Sequence, residues 1–458
     1  MKKFSEIVKE YEERENRIVS PVPDIPIDAD AGLNDEQAAA LKTLQSGTDC
    51  FLSGSAGSGK SFVLRRFIAG RSEQSVLVTA PTKIAAHHLR GKTLHSVFSV
   101  PYEEDGILTP QDCAFDDARW EALSQGVKYQ RIHDCDTVII DEISMVRADV
   151  FKWVVSYLRA EEARTGHHIQ LILCGDFMQL PPVICTEDKE VWCRFYPDNP
   201  DGFVFLSPEW RDLNIQTVEI RQNMRQKDKE HAEALEQIRH GDPNGEGRKW
   251  IQAHSAREPI ANVSTLCATK EEVDCINNAE LDKLPGDSVD FETYIPEPAK
   301  LRERKMLVGR VLRLKPGAPV ITLVNDREGR FHNGSRGVVV SIDPDKDIVR
   351  VRMDETGQVI DILPYKWRTY TQFPLALAWA LTFHKAQGMT CKAVNIYARR
   401  AWEAGQIYVS LSRGQEICSM YIDGDLSLLS FEPNPSVVEF YEREARKAEK
   451  LAKANAAS

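Results

Sequence analysis

The residues with the clearest chemistry form a glycine-rich loop after a short apolar run. The loop has the pattern G-x-x-x-x-G-K-[ST], and its members include Gly54, Ala56, Gly57, Ser58, Gly59, Lys60 and Ser61. Glycines let a backbone curl until successive N–H groups point at phosphate oxygens. In this pattern the lysine reaches the β- and γ-phosphates, and the hydroxyl residue binds Mg²⁺. Apolar residues after Lys60 predict a helix whose positive end faces the same anion. The stretch therefore predicts a site for a nucleoside triphosphate and Mg²⁺.

Two adjacent carboxylates, Asp141 and Glu142, close the apolar run 137–140. Beside a phosphate loop, the first carboxylate is expected to hold Mg²⁺ through water, and the second to polarise the attacking water. Gln179 follows another apolar run, 169–174, and an amide there is placed to sense the γ-phosphate. The second carboxylate favours hydrolysis over binding alone.

Further polar residues stand before the loop and at the ends of the other predicted strands. Gln37 lies on a helix predicted over 33–47 with Asn34 as its N-cap, and its amide has the donor and acceptor needed to read an adenine edge. Thr82 and Lys83 follow the apolar run 75–80, and His95 and Ser96 come next along the chain. Hydroxyls and cations at such positions suit contact with a phosphodiester backbone.

The elements that must position these residues alternate between buried strands and helices through about residue 215. That alternation predicts a parallel sheet wrapped by helices. Within 335–365 the pattern changes to short alternating strands with tight polar turns, at 337–342, 348–353 and 359–362. This segment predicts a small antiparallel β module inserted in an α/β protein.

Composition limits the classes of protein that remain. The chain has 458 residues, 28% of them charged, and ten scattered cysteines without a Cys-x-x-Cys pair. The cysteine pattern predicts reduced thiols in a cytosol-like compartment and no zinc site. The sequence has no run of 18 apolar residues, and residues 1–6 turn acidic without an apolar core. We therefore also expect no membrane span and no signal or transit peptide. The net charge of −11 argues against indiscriminate coating of nucleic acid but is compatible with a basic groove.

Longer segments resemble superfamily 1B helicases of the PIF type, which are related to the RecD-like and Dda-like enzymes. Segments 141–145 and 175–183 resemble helicase motifs II and III, and 220–226 resembles motif IV. Segments 382–390 and 405–413 resemble motifs V and VI. The matching segments are spread over residues 33–424. Departures include Lys83 where the family usually has glycine and Ala386 where motif V usually has serine.

The resemblance implies two RecA-like parallel-sheet domains with ATP bound between them and an inserted SH3-like module. The implied organisation is an extension at 1–30, domain 1A at 31–215 with a wedge near 92–115, domain 2A at 216–312 and 373–430, module 2B at 313–372, and a charged helix at 431–458. The tail from Val437 to Ser458 is predicted to be an amphipathic helix with interleaved Glu, Lys and Arg residues, and we expect it to be solvated.

The resemblance also assigns roles to individual residues. Arg225 and Arg413 would reach the γ-phosphate as arginine fingers, and Gly388 would lie at the nucleotide. The residues implied to contact single-stranded DNA are Thr82, Lys83, His95, Ser96, Asn333, Ser335, His384 and Lys385. The implied activity is ATP-driven 5′→3′ travel along single-stranded DNA with unwinding at single-strand/duplex junctions, in replication, repair or recombination. A monomeric motor is expected, in the cytoplasm and at the nucleoid if the host is prokaryotic or viral.

Two other classes of function stay open on the sequence. The same engine could act on RNA or remodel nucleoprotein complexes, which a comparison of RNA and DNA as ATPase activators would separate. A nucleotide-gated assembly subunit would turn over little ATP, and the presence of Glu142 and both arginines weighs against it.

Overall fold

The structure is a computed structural model and describes residues 32–72, 74–101, 106–124, 127–296, 306, 308–326, 328–367, 370–399, 401 and 405–457. The extension at 1–30, with its predicted helix and proline-rich linker, lies outside the described residues. Two compact units make up the chain. Of the described residues, those within 32–268 and 382–457 belong to the larger unit, and those within 269–381 belong to the smaller.

The strands, in chain order, are β1 Cys50–Gly54, β2 Val76–Ala80, β3 Lys92–Thr93, β4 Thr137–Ile140, β5 Gln170–Gly175, β6 Gln216–Ile220, β7 Thr265–Cys267, β8 Val289–Glu292, β9 Val311–Leu314, β10 Pro319–Thr322, β11 Arg336–Asp343, β12 Ile348–Met353, β13 Val359–Ile362, β14 Tyr365–Lys366, β15 Thr371–Gln372, β16 Leu375–Leu377, β17 Ala380–Thr382, β18 Val394–Tyr397 and β19 Met420–Asp423.

The α-helices are α1 Asp35–Leu44, α2 Lys60–Ala69, α3 Lys83–His88, α4 Leu94–Val97, α5 Asp117–Ser124, α6 Val127–His133, α7 Ala148–Thr165, α8 Lys189–Phe195, α9 Pro208–Asp212, α10 Lys229–Arg239, α11 Glu246–His254, α12 Lys270–Lys283, α13 Phe383–Ala386, α14 Gln406–Leu411 and α15 Pro435–Ala457. Among the described residues, no helix has the length and apolarity needed to cross a membrane.

The larger unit is built on a six-stranded parallel sheet with the strand order β3-β2-β4-β5-β1-β6. Strands β1, β2, β4 and β5 are buried along their whole length, as expected for a parallel sheet covered on both faces. Helices α1 and α2 pack on one face, and α7 packs in the hydrophobic cluster on the other. Strands β7, β18 and β19 are parallel neighbours in a second sheet.

The smaller unit is antiparallel. Its main sheet has the strand order β13-β12-β11-β10-β16, and two further pairs, β8 with β9 and β14 with β15, are also antiparallel. The three short strands expected within 335–365 are β11, β12 and β13. The α/β class with parallel sheets and a small antiparallel module is confirmed, whereas the domain boundaries given above stay predictions.

The expectation of a solvated helix after residue 431 is wrong for the first half of α15. Val437 and Phe440 are each 1% exposed and belong to the hydrophobic cluster of the first sheet. Phe440 lies with its ring centroid 4.7 Å from that of Phe205 and 5.2 Å from that of Phe177. The interleaved charges hid an apolar stripe that is buried, because a helix can present one face to a core and the opposite face to water.

Candidate nucleotide site

The glycine-rich loop joins β1 to α2 and has the backbone conformation that its glycines permit. Gly57 and Gly59 have φ of +87° and +88°, a region that residues with a Cβ rarely adopt. A Cβ at Gly59 would also lie 2.4 Å from Nε2 of Gln37. The ammonium of Lys60 lies in the curl of the loop, where it donates to the carbonyls of Gly54 at 2.7 Å and Ser55 at 3.0 Å.

Gln37 is buried and connects α1 to this loop. Asn34 is the N-cap of α1, as expected, and forms a reciprocal capping box with Gln37. The amide of Gln37 accepts from the backbone N–H of Asn34 at 3.2 Å and donates to the carbonyl of Ser58 at 3.2 Å. These bonds use one amide hydrogen and one oxygen lone pair, so the side chain keeps a second donor and a second acceptor position for an adenine edge. The adenine-reading role stays a prediction.

Asp141 and Glu142 follow β4 at the carboxyl edge of the sheet. Burial, and after it the adjacent Glu142 charge, raises the pKa of Asp141 to about 7. Glu142 has φ of +52°, which is uncommon for a residue with a side chain and marks a sharply turned backbone. Its Oε2 accepts a hydrogen bond from Nε2 of Gln387 at 3.0 Å. Gln387 lies in the segment that resembles motif V, but the sequence analysis gave it no role.

The donor set fits Mg²⁺. Mg²⁺ is usually held by one or two carboxylates, with waters and substrate phosphates completing its shell. Asp141 and Ser61 supply a carboxylate and a hydroxyl, and the described residues contain no cluster of three or more His, Cys, Asp or Glu that would suit another metal. A buried carboxylate with a raised pKa is also the kind of group that a divalent cation stabilises in its ionised form.

Arg225 and Arg413 bring two guanidinium groups to this site, the first half-buried and the second buried. Nη1 of Arg225 donates to the carbonyl of Ser412 at 2.7 Å, and Nη2 of Arg413 donates to the Ser412 hydroxyl at 2.8 Å. Cβ of Arg225 lies 2.6 Å from where a Cβ at Gly57 would stand. Burial, followed by the Arg413 charge, lowers the pKa of Arg225 to about 9, and burial also lowers the pKa of Arg413. Within the described part of the chain, neither guanidinium forms an ion pair with a carboxylate within 4.0 Å. The pair is therefore suited to an anion.

Gln179 is buried in the loop after β5. Its Nε2 lies 3.5 Å from Oδ2 of Asp176, and its backbone N–H donates to the Asp176 carbonyl at 3.0 Å. Asp176 forms a two-point ion pair with Arg239 of α10, at 3.0 and 3.1 Å. Burial opposes ionisation of Asp176, but the Arg239 charge outweighs that effect and holds the pKa of the carboxyl below its ordinary value.

The residues expected to contact DNA lie in both units. Thr82 and Lys83 follow β2, and His95 and Ser96 follow the neighbouring β3, so these four residues share one edge of the parallel sheet. In the larger unit His384 and Lys385 lie on α13, just before Gly388 with φ of +82°. Burial lowers the pKa of His95 and of His384.

Asn333 and Ser335 belong to the turn between β10 and β11 in the smaller unit. The N–H of Asn333 donates to Oδ1 of Asn325 at 2.8 Å, and Oγ of Ser335 accepts from the N–H of His332 at 3.0 Å. These bonds fix the shape of the turn.

Two tyrosines at the site were missed by the sequence analysis. The hydroxyl oxygen of Tyr408 accepts the backbone N–H of Ala56 at 2.8 Å, so it bonds to the glycine-rich loop itself. Tyr408 lies in the segment that resembles motif VI, and that resemblance could have identified it as a residue of the site. Tyr441 of α15 contacts the loop that carries Gln179, and no local pattern in the sequence singles it out.

Comparison with known proteins identifies the family of this chain. The sequence model of the PIF1-like helicase family matches residues 32–243. The chain is 32% identical over 425 residues to the ATP-dependent DNA helicase Pif1 of Bdellovibrio bacteriovorus, a match that covers 90% of this chain and 92% of that relative. The chain belongs to the PIF1-like helicase family.

Other members of this family are longer. The chain is 32% identical to the ATP-dependent DNA helicase PIF1 of Xenopus laevis over 92% of its own length, but covers 66% of that relative. It thus spans slightly less than two-thirds of the first vertebrate relatives it matches. Among solved structures, a Bacteroides Pif1 helicase in complex with ADP-AlF3 and single-stranded DNA is similar, with a TM-score of 0.76 and 28% identity over 92% of this chain and 98% of that one.

Proposed function

We propose that this protein is an ATP-dependent DNA helicase that moves 5′→3′ along single-stranded DNA and opens duplexes at single-strand/duplex junctions. The observation that carries the proposal is a pair of guanidinium groups, buried Arg413 and half-buried Arg225, beside a glycine-rich loop and two strand-end carboxylates. Membership of the PIF1-like family and the relatives, which are ATP-dependent DNA helicases, support DNA as the track. The polarity rests on the superfamily 1B resemblance.

Within this proposal the residues divide the work of ATP hydrolysis. The N–H groups of the glycine-rich loop bind the phosphates, and Lys60 exchanges its carbonyl partners for phosphate oxygens. Glu142 takes a proton from the attacking water, Gln179 senses the γ-phosphate, and Arg225 and Arg413 stabilise its developing charge. Ser61 and Asp141 would hold Mg²⁺, which when bound neutralises phosphate charge.

The track would be held by polar groups that suit a phosphodiester backbone. Thr82, Lys83, His95 and Ser96 at one sheet edge are proposed to grip the strand. His384 and Lys385 on α13, and Asn333 and Ser335 in the smaller unit, are proposed to contact it as well. A Pif1 structure with single-stranded DNA and a forked-duplex study with two coordinating Pif1 helicases support this class of partner. A monomeric motor, cytoplasmic and nucleoid-associated in a prokaryotic or viral host, completes the proposal.

The test is unwinding of duplexes that carry either a 5′ or a 3′ single-stranded tail, with Mg²⁺ and ATP. Activity on the 5′-tailed duplex alone is expected, and Lys60→Ala is the inactive control because it removes the phosphate-binding ammonium. Activity on the 3′-tailed duplex alone would overturn the polarity. If neither DNA is unwound and RNA stimulates ATP hydrolysis more than DNA does, the proposed track is wrong.

A further inference from the structure

Three parts of the candidate site meet at the hydroxyl of Tyr441, which comes from the C-terminal helix α15. The hydroxyl oxygen lies 3.1 Å from the backbone N of Phe177, 3.2 Å from Oδ1 of Asp176 and 3.2 Å from Oγ of Ser53. Ser53 immediately precedes Gly54 of the glycine-rich loop. Phe177 and Asp176 begin the loop that carries Gln179. One side chain from the end of the chain therefore bridges both nucleotide loops.

The chemistry of the three neighbours fixes the direction of each hydrogen bond. The Asp176 carboxylate, held ionised by Arg239, can only accept, so the Tyr441 O–H donates to it. The backbone N–H of Phe177 can only donate to the phenolic oxygen. The tyrosine proton is thereby used, and Ser53 must donate to the remaining lone pair. All hydrogen-bonding positions of the phenol are satisfied, which gives the contact a single defined geometry.

The Gln179 loop borders a cavity on one flank. Phe177, Met178 and Gln179 line this cavity of about 480 Å³ together with Ser430, residues 432–435 and Val437. On the opposite flank the Asp176 side chain is fully buried between Arg239 and Tyr441. The guanidinium of Arg239 also lies over the Tyr441 ring, 5.6 Å from its centroid. The polar tie is therefore concentrated at Asp176 and Phe177.

We propose that Tyr441 is a positioning residue for ATP hydrolysis, which holds the Gln179 loop in register with the glycine-rich loop. This inference rests on the proposed function and adds a residue outside the helicase motifs. ATP binding depends on the loop at 54–61 and is expected to survive without the hydroxyl. The chemical step depends on where Gln179 lies, and a small misplacement of a positioned group is costly in rate.

The test is Tyr441→Phe, which removes the hydroxyl and keeps the buried ring. We expect kcat for DNA-stimulated ATP hydrolysis to fall by roughly ten-fold, with KM for ATP changed by no more than about two-fold. Tyr196→Phe is the matched control, because it also removes one tyrosine hydrogen bond in the same unit, to the Leu108 carbonyl at 2.7 Å. The control should keep wild-type kcat while the melting temperatures of the two variants remain similar.

A second measurement asks whether Tyr441 acts through the Gln179 loop. In a Gln179→Ala background, Tyr441→Phe should cost little further kcat, because residues that act as a unit are not additive. Full additivity of the two losses would overturn the inference, as would wild-type kcat in Tyr441→Phe or an equal fall in Tyr196→Phe. A wild-type protein with no ATP turnover would instead overturn the proposed function, and this inference with it.

Discussion

Arg413 carries a charge that is 1% exposed and hydrogen-bonded to backbone and hydroxyl oxygens. Burying a cation without a carboxylate partner is unfavourable, and proteins retain such an arrangement where a bound anion offsets the cost. Arg225, which shares Ser412 with it, has a pKa lowered to about 9 for the same reason of burial. The two residues therefore provide preorganised positive charge for a bound polyanion.

Arg413→Ala is expected to keep ATP binding and lose hydrolysis. The bound phosphates keep the loop N–H groups and Lys60, whereas the developing charge on the γ-phosphoryl group loses its stabilisation, by about 10³–10⁵-fold in rate if it resembles other arginine fingers. Titration with a fluorescent ATP analogue and DNA-stimulated turnover measure the two effects. Arg399→Ala is the control, since that arginine pairs with Asp423 at the surface. Unimpaired turnover would remove Arg413 from the mechanism.

At the scale of elements, α15 is the main departure from expectation. Its first turns complete the aromatic cluster of the first sheet, and Glu444 accepts a hydrogen bond from Thr217 of β6 at 2.7 Å. The segment therefore stabilises the parallel sheet as well as reaching the Gln179 loop.

Phe440→Ala should lower the free energy of unfolding by about 3–5 kcal/mol, because it leaves a cavity in a packed aromatic cluster. Chemical denaturation followed by fluorescence would measure it. Leu428→Ala provides the comparison, since that leucine is 82% exposed and its loss should be within about 0.5 kcal/mol. Equal effects in the two variants would mean that α15 does not dock in solution.

His231 of α10, which stacks on Trp250 of α11, should make stability depend on pH. Burial, opposed weakly by Asp228, lowers the pKa of His231 to about 4, and its ring stacks on Trp250. Between pH 6.5 and 4 the unfolded chain binds a proton that the folded chain does not, so the free energy of unfolding falls as the pH is lowered.

His231→Phe keeps an aromatic ring on Trp250 and removes the titrating group. The fall in the free energy of unfolding between pH 6.5 and 4 should become smaller by about 2–3 kcal/mol. His254→Phe is the control, because His254 also stacks on Trp250 but is exposed. An unchanged slope in His231→Phe would show that the buried histidine is already protonated when folded.

At the scale of the whole molecule, a net charge of −11 has to be reconciled with a polyanionic track. Binding must come from a local set of cations and hydroxyls, because the average field of the protein repels DNA. Affinity for single-stranded DNA should therefore fall steeply with salt, since counterions are released at each neutralised phosphate.

Lys83→Ala and Lys385→Ala should each lower the magnitude of the slope of log affinity against log salt by about one. Fluorescence anisotropy with labelled oligonucleotide over a salt series measures the slope. Lys42→Ala, which removes an exposed cation from the last turn of α1, should leave it unchanged. If all three variants give the same slope, neither Lys83 nor Lys385 contacts a phosphate.

The sequence by itself determined the features that depend on residues close together in the chain. The glycines and Lys60 identify a phosphate loop because their spacing is what a curled backbone requires. The buried strands are readable because parallel strands covered on both faces are continuous apolar runs. Motif resemblance pointed to Arg225 and Arg413 and to the family.

Tertiary structure decided what depends on residues far apart in the chain. No spacing rule connects Tyr441 to Asp176, or Tyr408 to Ala56, because these contacts exist only once separate elements pack together. The same holds for α15, whose charges suggested solvent while its apolar stripe met a core formed by other elements. Burial and hydrogen-bond geometry are properties of the folded chain, and they decided which polar side chains surround the glycine-rich loop.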